Sequence, residues 1–116
     1  MRVEELGRCV SVINDGYLLL IYDVYEAGSE DALACKDFRS MIIKMGFRRV
    51  QYSFYKKYLR DLKSAESEIK EIERIAPLNS NIQIIKLTAM QLDKFVIAVR
   101  GEDLSSENDR KEYVEY

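Results

Sequence analysis

The residues from Tyr17 to Val24 constrain the fold more than any other stretch. They are apolar at consecutive positions until Asp23 and rich in strand formers. A run that is apolar on both alternating faces reads as a central strand covered on each side. Asn14-Asp15-Gly16 is a strong turn signal just before it. Further upstream, Val10, Val12 and Ile13 fit a short strand or one helical turn equally well.

Downstream the period changes. Ser29 is a suitable N-cap, with Glu30 and Asp31 complementing the dipole of the first turn. Ala34, Phe38, Met41, Ile42 and Met45 recur at three- and four-residue steps. This predicts a helix to about Met45 with those residues buried, ended by Gly46. Phe47 to Tyr55 then alternates bulky apolar and polar side chains, a strand with one wet face. One long strand and a hairpin bent near Ser53 both fit, since no Gly or Pro marks a turn.

A second helix is expected over 61–76, with Leu62, Ala65, Ile69, Ile72 and Ala76 on one side, stopped by Pro77. Ile82 to Thr88 reads as a strand, 89–94 as a short helix or turn, and Phe95 to Val99 as a last short strand. The order β-α-β-(β)-α-β-β matches a ferredoxin-like βαββαβ sandwich of the α+β class with an additional C-terminal strand. Both helices would lie on one face of an antiparallel sheet. The other face needs a cover, and a second copy of the chain is the simplest one. The division is an N-terminal extension over 1–16, a ferredoxin-like domain over 17–100 and an acidic tail over 101–116. From Arg100 on the chain reads as frayed, with Tyr113, Val114 and Tyr116 able to dock.

A length of 116 residues suits one domain with a modest core, which favours association. The net charge of −2 argues against an indiscriminate nucleic-acid binder, but the charge is unevenly spread. Lys36 to Lys63 holds nine cations against two anions, a net of +7. Residues 101–116 carry six carboxylates against Arg110 and Lys111, a net of −4. Such a basic middle can concentrate a polyanion on one face. No histidine is present, which nearly excludes a zinc site and excludes Ser-His and Cys-His catalysis. Cys9 and Cys35 lack a short spacing, and Met1 to Gly16 lacks the layout of a signal peptide. Reduced thiols in the cytoplasm are expected. The apolar run at 17–22 is far too short to span a membrane.

Asp23 stands out on chemistry alone, because an acid ending a central strand is costly to bury unless paired, hydrated or metal-bound. Capping the strand beside a cation and binding a divalent ion are both open readings. Lys36, Arg39, Lys44, Arg48, Arg49, Lys56, Lys57 and Arg60 are candidate phosphate contacts. They include no base-reading device, so binding would be sequence-independent. The alternative is a solvated charged surface. Tyr52, Tyr55 and Tyr58 read as core or dimer aromatics rather than stacking platforms. Ser53 lacks a general base and reads as structural.

Four stretches in this order resemble the CRISPR-associated Cas2 family, the small subunit of CRISPR adaptation complexes. They are Tyr22-Asp23-Val24 closing the opening strand, Phe38-Arg39 with Met45-Gly46-Phe47, Val50 to Tyr55, and Ile84 to Thr88 followed by Gln91 and Phe95. The Phe-Arg helix, the Gly-Phe junction and the Thr-x-x-Gln segment are most similar to members from loci with a Cas-nine type effector. The sixteen residues before the first strand are longer than is usual there, and Tyr25 stands where a proline often occurs.

The resemblance implies a homodimer in which Asp23 faces its twin and the pair holds Mg2+. Two facing carboxylates repel, and the ion relieves the repulsion. It also implies an antiviral-defence role in spacer acquisition: a scaffold that bridges Cas-one integrase dimers and holds duplex DNA. The alternative is a stand-alone Mg2+-dependent endonuclease acting on RNA or DNA, with Asp23 catalytic. One aspartate per chain is sparse equipment for hydrolysis, so the scaffold is preferred. A regulatory small-molecule module on the same fold is a third possibility, opposed by the basic face.

Overall fold

The computed structural model describes residues 14–24, 29–102, 104, 106 and 109. The expected central strand is β1, Gly16–Val24. It is followed by α1 (Ser29–Lys44), β2 (Arg48–Gln51), β3 (Phe54–Leu59), α2 (Ala65–Ile75), β4 (Ser80–Thr88) and α3 (Ala89–Phe95). The strands form one antiparallel sheet in the order β2-β3-β1-β4. This is the ferredoxin-like arrangement, with β1 paired along its length to β4 and along most of it to β3.

Alternation along β1 divides the core in two. Leu18, Leu20 and Tyr22 point toward the helices and pack with Phe38, Ile42, Phe47, Tyr55, Leu59 and Ile72. Tyr17 and Leu19 point the other way and pack with Ala89, Leu92 and Leu104. The second face is therefore covered at one end by α3 and the chain after it. At its other end Ile21 and Ile85 remain 43% exposed, beside exposed Asp23 and Gln83.

Gly16 is required where β1 begins: a Cβ there would lie 2.3 Å from the Leu87 carbonyl oxygen and 2.6 Å from the Leu62 side chain. Gly46 ends α1 at φ +105°. The Phe47 amide donates to the Ile42 carbonyl and the Gly46 amide to the Ile43 carbonyl, each at 3.0 Å. These two bonds make a Schellman closure, with Phe47 and Ile42 sharing one core. A single 3-10 turn, Leu62–Ser64, precedes α2, and Asp61 caps it by accepting from the Lys63 amide at 3.0 Å.

The structure resolves one open choice and corrects other expectations. The stretch after Phe47 is a hairpin, turning at Tyr52 and Ser53, with Ser53 at φ +70°. A non-glycine residue adopts this left-handed conformation, so composition gave no turn signal. The additional strand over Phe95 to Val99 is not formed: Phe95 belongs to α3, and residues 96–98 make no ladder. A strand needs a neighbour, and among the described residues this segment pairs with neither of the sheet's edge strands, β2 and β4. Met41 is exposed, because the buried stripe of α1 narrows to Phe38 and Ile42 with Met45 beside them.

Two residues of the stretch expected to fray are instead packed. Leu104 and Ser106 are buried, and Asp93 on α3 accepts from the Ser106 amide (2.8 Å) and hydroxyl (2.6 Å). Tyr113, Val114, Tyr116, Cys9, Tyr25 and the strand-or-helix choice at 10–13 lie outside the described residues, as do the side chains of Ser29 to Cys35.

Candidate functional site

Asp23 sits near the C-terminal end of β1, opposite Asn81 of β4. It is exposed, so the cost of burying a carboxylate does not arise. Its parity along the strand places it on the face turned from α1 and α2, together with Ile21. Because Ile21 pairs with Phe54, Asp23 lies at the same end of the sheet as the Tyr52–Ser53 turn. The Tyr22 amide fastens that turn by donating to the Ser53 carbonyl at 3.1 Å. Ser53 is structural, as read from the sequence.

Arg39 of α1 reaches toward this end. Its Nε donates to the Tyr22 hydroxyl at 3.4 Å. Tyr22 is itself held between Phe38, edge-on at 5.4 Å, and Tyr55, stacked at 5.9 Å. Arg49 places its guanidinium 5.1 Å from the centre of the Tyr52 ring. Tyr55 is a core residue as expected, but Tyr52 is 80% exposed at the hairpin tip.

The other candidate cations divide between faces. Lys36 and Lys44 are exposed on α1. Lys57 faces the helices and pairs with Glu68 of α2 at 2.8 Å. Arg48 and Lys56 are directly opposite each other across the β2–β3 ladder. Arg48 pairs with Glu102 at 2.5 Å. Lys56 is only 4% exposed, with its ammonium 5.0 Å from the Tyr17 ring and 3.5 Å from the Asp109 carboxylate. Arg60 follows the far end of β3, about 20 Å along the strand from the hairpin turn. The structure thus brings Asp23, Arg39, Arg49 and Tyr52 to one end of the sheet, sets Arg48 and Lys56 side by side, and leaves Arg60 apart.

Around Lys56 is a polar group that the sequence reading did not find. The Tyr17 hydroxyl donates to Asp109, and the Tyr58 hydroxyl donates to buried Asp15 at 2.6 Å. Burial pushes the Tyr17 phenol far above its ordinary value of 10, and the hydrogen bond to Asp109 adds to the rise. One signal was available: Lys56 occupies the inward position between Phe54 and Tyr58. Its carboxylate partner, 53 residues further on, was not foreseeable from spacing.

Mg2+ takes one or two carboxylates together with water and phosphate oxygens. Among the described residues, Asp23 is the one exposed carboxylate on the open end of this sheet face. Among the described residues no three acids or thiols gather into a metal cluster. The donor set therefore fits the ion when a second carboxylate and a phosphate complete it.

An antiparallel βαββαβ sheet with two helices on one face and a half-open second face defines a class: the small ferredoxin-like α+β domains. Residues 16–95 match the sequence profile of the family described as CRISPR associated protein Cas2, and the chain belongs to that family. Among curated relatives, the CRISPR-associated endoribonuclease Cas2 of Campylobacter jejuni is 29% identical over 92 residues, covering 78% of this chain and 64% of that one. The chain thus matches less than two thirds of that relative's length. The CRISPR-associated endoribonuclease Cas2 2 of Rhodospirillum rubrum is 28% identical over 78% of this chain and 81% of its own. The CRISPR-associated endoribonuclease Cas2 of Ligilactobacillus salivarius is 35% identical over 64% of this chain and 73% of its own. Among the described residues no helix is long and apolar enough to cross a membrane.

Proposed function

We propose that the protein is a dimeric scaffold for acquiring new CRISPR spacers, bridging Cas-one integrase dimers and holding duplex DNA without reading its sequence. The observation that carries this reading is the imbalance of the site. Cations on α1, β2 and β3 are numerous, while among the described residues the open end of the sheet face presents one exposed carboxylate, Asp23. That equipment suits phosphate contact better than bond cleavage.

Association is favoured by what one chain leaves uncovered. Ile21 and Ile85 on the open face are exposed, as are Phe95 at the end of α3 and Ile97 and Val99 just after it. The outer edge of β4 is nine residues long and unpaired among the described residues. A second copy covering both would remove an exposed apolar patch and a free strand edge together. In such a dimer the residues after Phe95 gain the neighbour they lack in one chain, which accounts for their strand-like sequence.

A second reading is a stand-alone endonuclease acting on RNA or DNA, and the relatives' names, endoribonuclease, favour its RNA form. Asp23 and its twin would hold Mg2+, and the chemistry the bound ion supplies is activation of water for phosphodiester hydrolysis. Arg39 and Arg49, at the same end of the sheet, would orient the phosphates.

Integration assays in a complex reconstituted with a Cas-one integrase separate the two. The scaffold requires Arg48→Glu with Arg49→Glu to reduce integration strongly while Asp23→Asn leaves it nearly intact. Duplex affinity of the free protein should fall with salt at a logarithmic slope of about −3 to −5, as expected for a few phosphate contacts at about −0.9 each. Integration lost at Asp23 and indifferent to the arginines overturns the scaffold in favour of the nuclease.

A further inference from the structure

Arg48, Lys56, Lys57 and Tyr58 line a cavity of about 460 Å³ at the corner where α1 gives way to β2, and Asp109 projects into it. Lys56 is almost wholly buried there. Its acceptors among the described residues are the Leu104 carbonyl and the Asp109 carboxylate, both at 3.5 Å. That is the outer limit of hydrogen bonding, and an ammonium has three donors to satisfy. A buried cation so loosely met is costly, and it marks a site with more positive charge than its acceptors match.

Two carboxylates from the acidic end of the chain meet these cations, Asp109 inside the cavity and Glu102 on the Arg48 guanidinium outside it. Glu102 reaches Arg48, and Asp109 reaches Lys56 and the Tyr17 hydroxyl. Between them the segment is held by Leu104 in the second core and by Ser106 on Asp93. A phosphate group brings several acceptor oxygens and a full charge, and would meet Arg48 and Lys56 together better than one carboxylate oxygen at 3.5 Å.

We propose that this cavity is a binding site for a backbone phosphate of nucleic acid, and that Asp109 inside it and Glu102 on Arg48 act as internal competitors. The inference rests on the nucleic-acid reading above and adds its regulation: duplex binding at Arg48 and Lys56 requires the tail carboxylates to withdraw. The tail then sets a threshold, so that weak or transient polyanions are refused.

The test uses the full chain and a short blunt DNA duplex, with affinity read by fluorescence anisotropy at several salt concentrations. Glu102→Gln with Asp109→Asn removes the competing charge while both amide oxygens still accept from Arg48, Lys56 and Tyr17. Duplex binding should tighten about three- to tenfold. Adding Lys56→Met to that protein should make the salt slope shallower by about 1, the loss of one phosphate contact. Glu66→Gln with Glu73→Gln on α2 removes the same charge elsewhere and should change affinity less than about twofold. An equal gain from both pairs, or no gain from the tail pair in a protein that does bind duplex, overturns the competition while leaving the interface standing. If neither the unaltered protein nor the tail variant binds duplex, the interface fails, and this inference with it.

Discussion

Lys56 shows how a residue's role depends on which way its strand turns it. Its neighbour Lys57 is one position away, faces the helices and pairs with Glu68, whereas Lys56 turns to the other face and is enclosed by Tyr17 and the tail. From sequence both belonged to one basic run, and only the identity of the charges was legible. Tyr17 carries the residue-scale consequence. Its phenol is buried and hydrogen-bonded in the neutral form, so its folded pKa lies above the unfolded value of 10. With the folded value raised, its stabilisation is full below about pH 10 and is lost progressively as pH rises beyond that, because the unfolded chain releases this proton first. Denaturant unfolding from pH 8 to pH 11 should show stability falling above pH 10, and Tyr17→Phe should flatten that fall. An unchanged alkaline slope in the variant would assign the loss to other tyrosines.

At the scale of elements, periodicity and capping chemistry were sufficient for most of the chain. Thr88 and Gln91 form a capping box at the start of α3, with Gln91 N to Thr88 Oγ1 at 3.0 Å and Thr88 N to Gln91 Oε1 at 2.9 Å. Gly46 closes α1 as expected. The hairpin at Tyr52–Ser53 was ambiguous because its left-handed residue is a serine, held by the Tyr22 amide from a different strand. Gly16 was read as part of a turn, yet its tighter constraint is the approach of β4. Gly16→Ala should separate β1 from β4 and destabilise the fold by about 1–3 kcal/mol, measurable by chemical denaturation. A neutral result would mean that Leu62 and β4 give way without cost.

For the whole molecule, the open end of the second sheet face and the free edge of β4 set the oligomeric expectation. Light scattering should report about 27 kDa, twice the 13.6 kDa chain, at micromolar concentration. A stable monomer at 13.6 kDa would leave Ile21, Ile85, Ile97 and Val99 without a cover and would remove the basis for pairing two Asp23 carboxylates.

By itself, the sequence determined the strand and helix order, the antiparallel sandwich, the place of Asp23 at a strand end and the concentration of cations between Lys36 and Lys63. These are local or periodic properties, dictated by which side chains recur at steps of two or of three to four. Tertiary structure alone decided which cations remain on the surface, where the tail docks, and that Phe95 to Val99 forms no strand within one chain. Those outcomes depend on partners distant in sequence, such as Asp109 for Lys56, and on which sheet edge a segment meets. Contacts of that kind arise from how the sheet twists and closes on its neighbours, and no spacing rule along the chain encodes them.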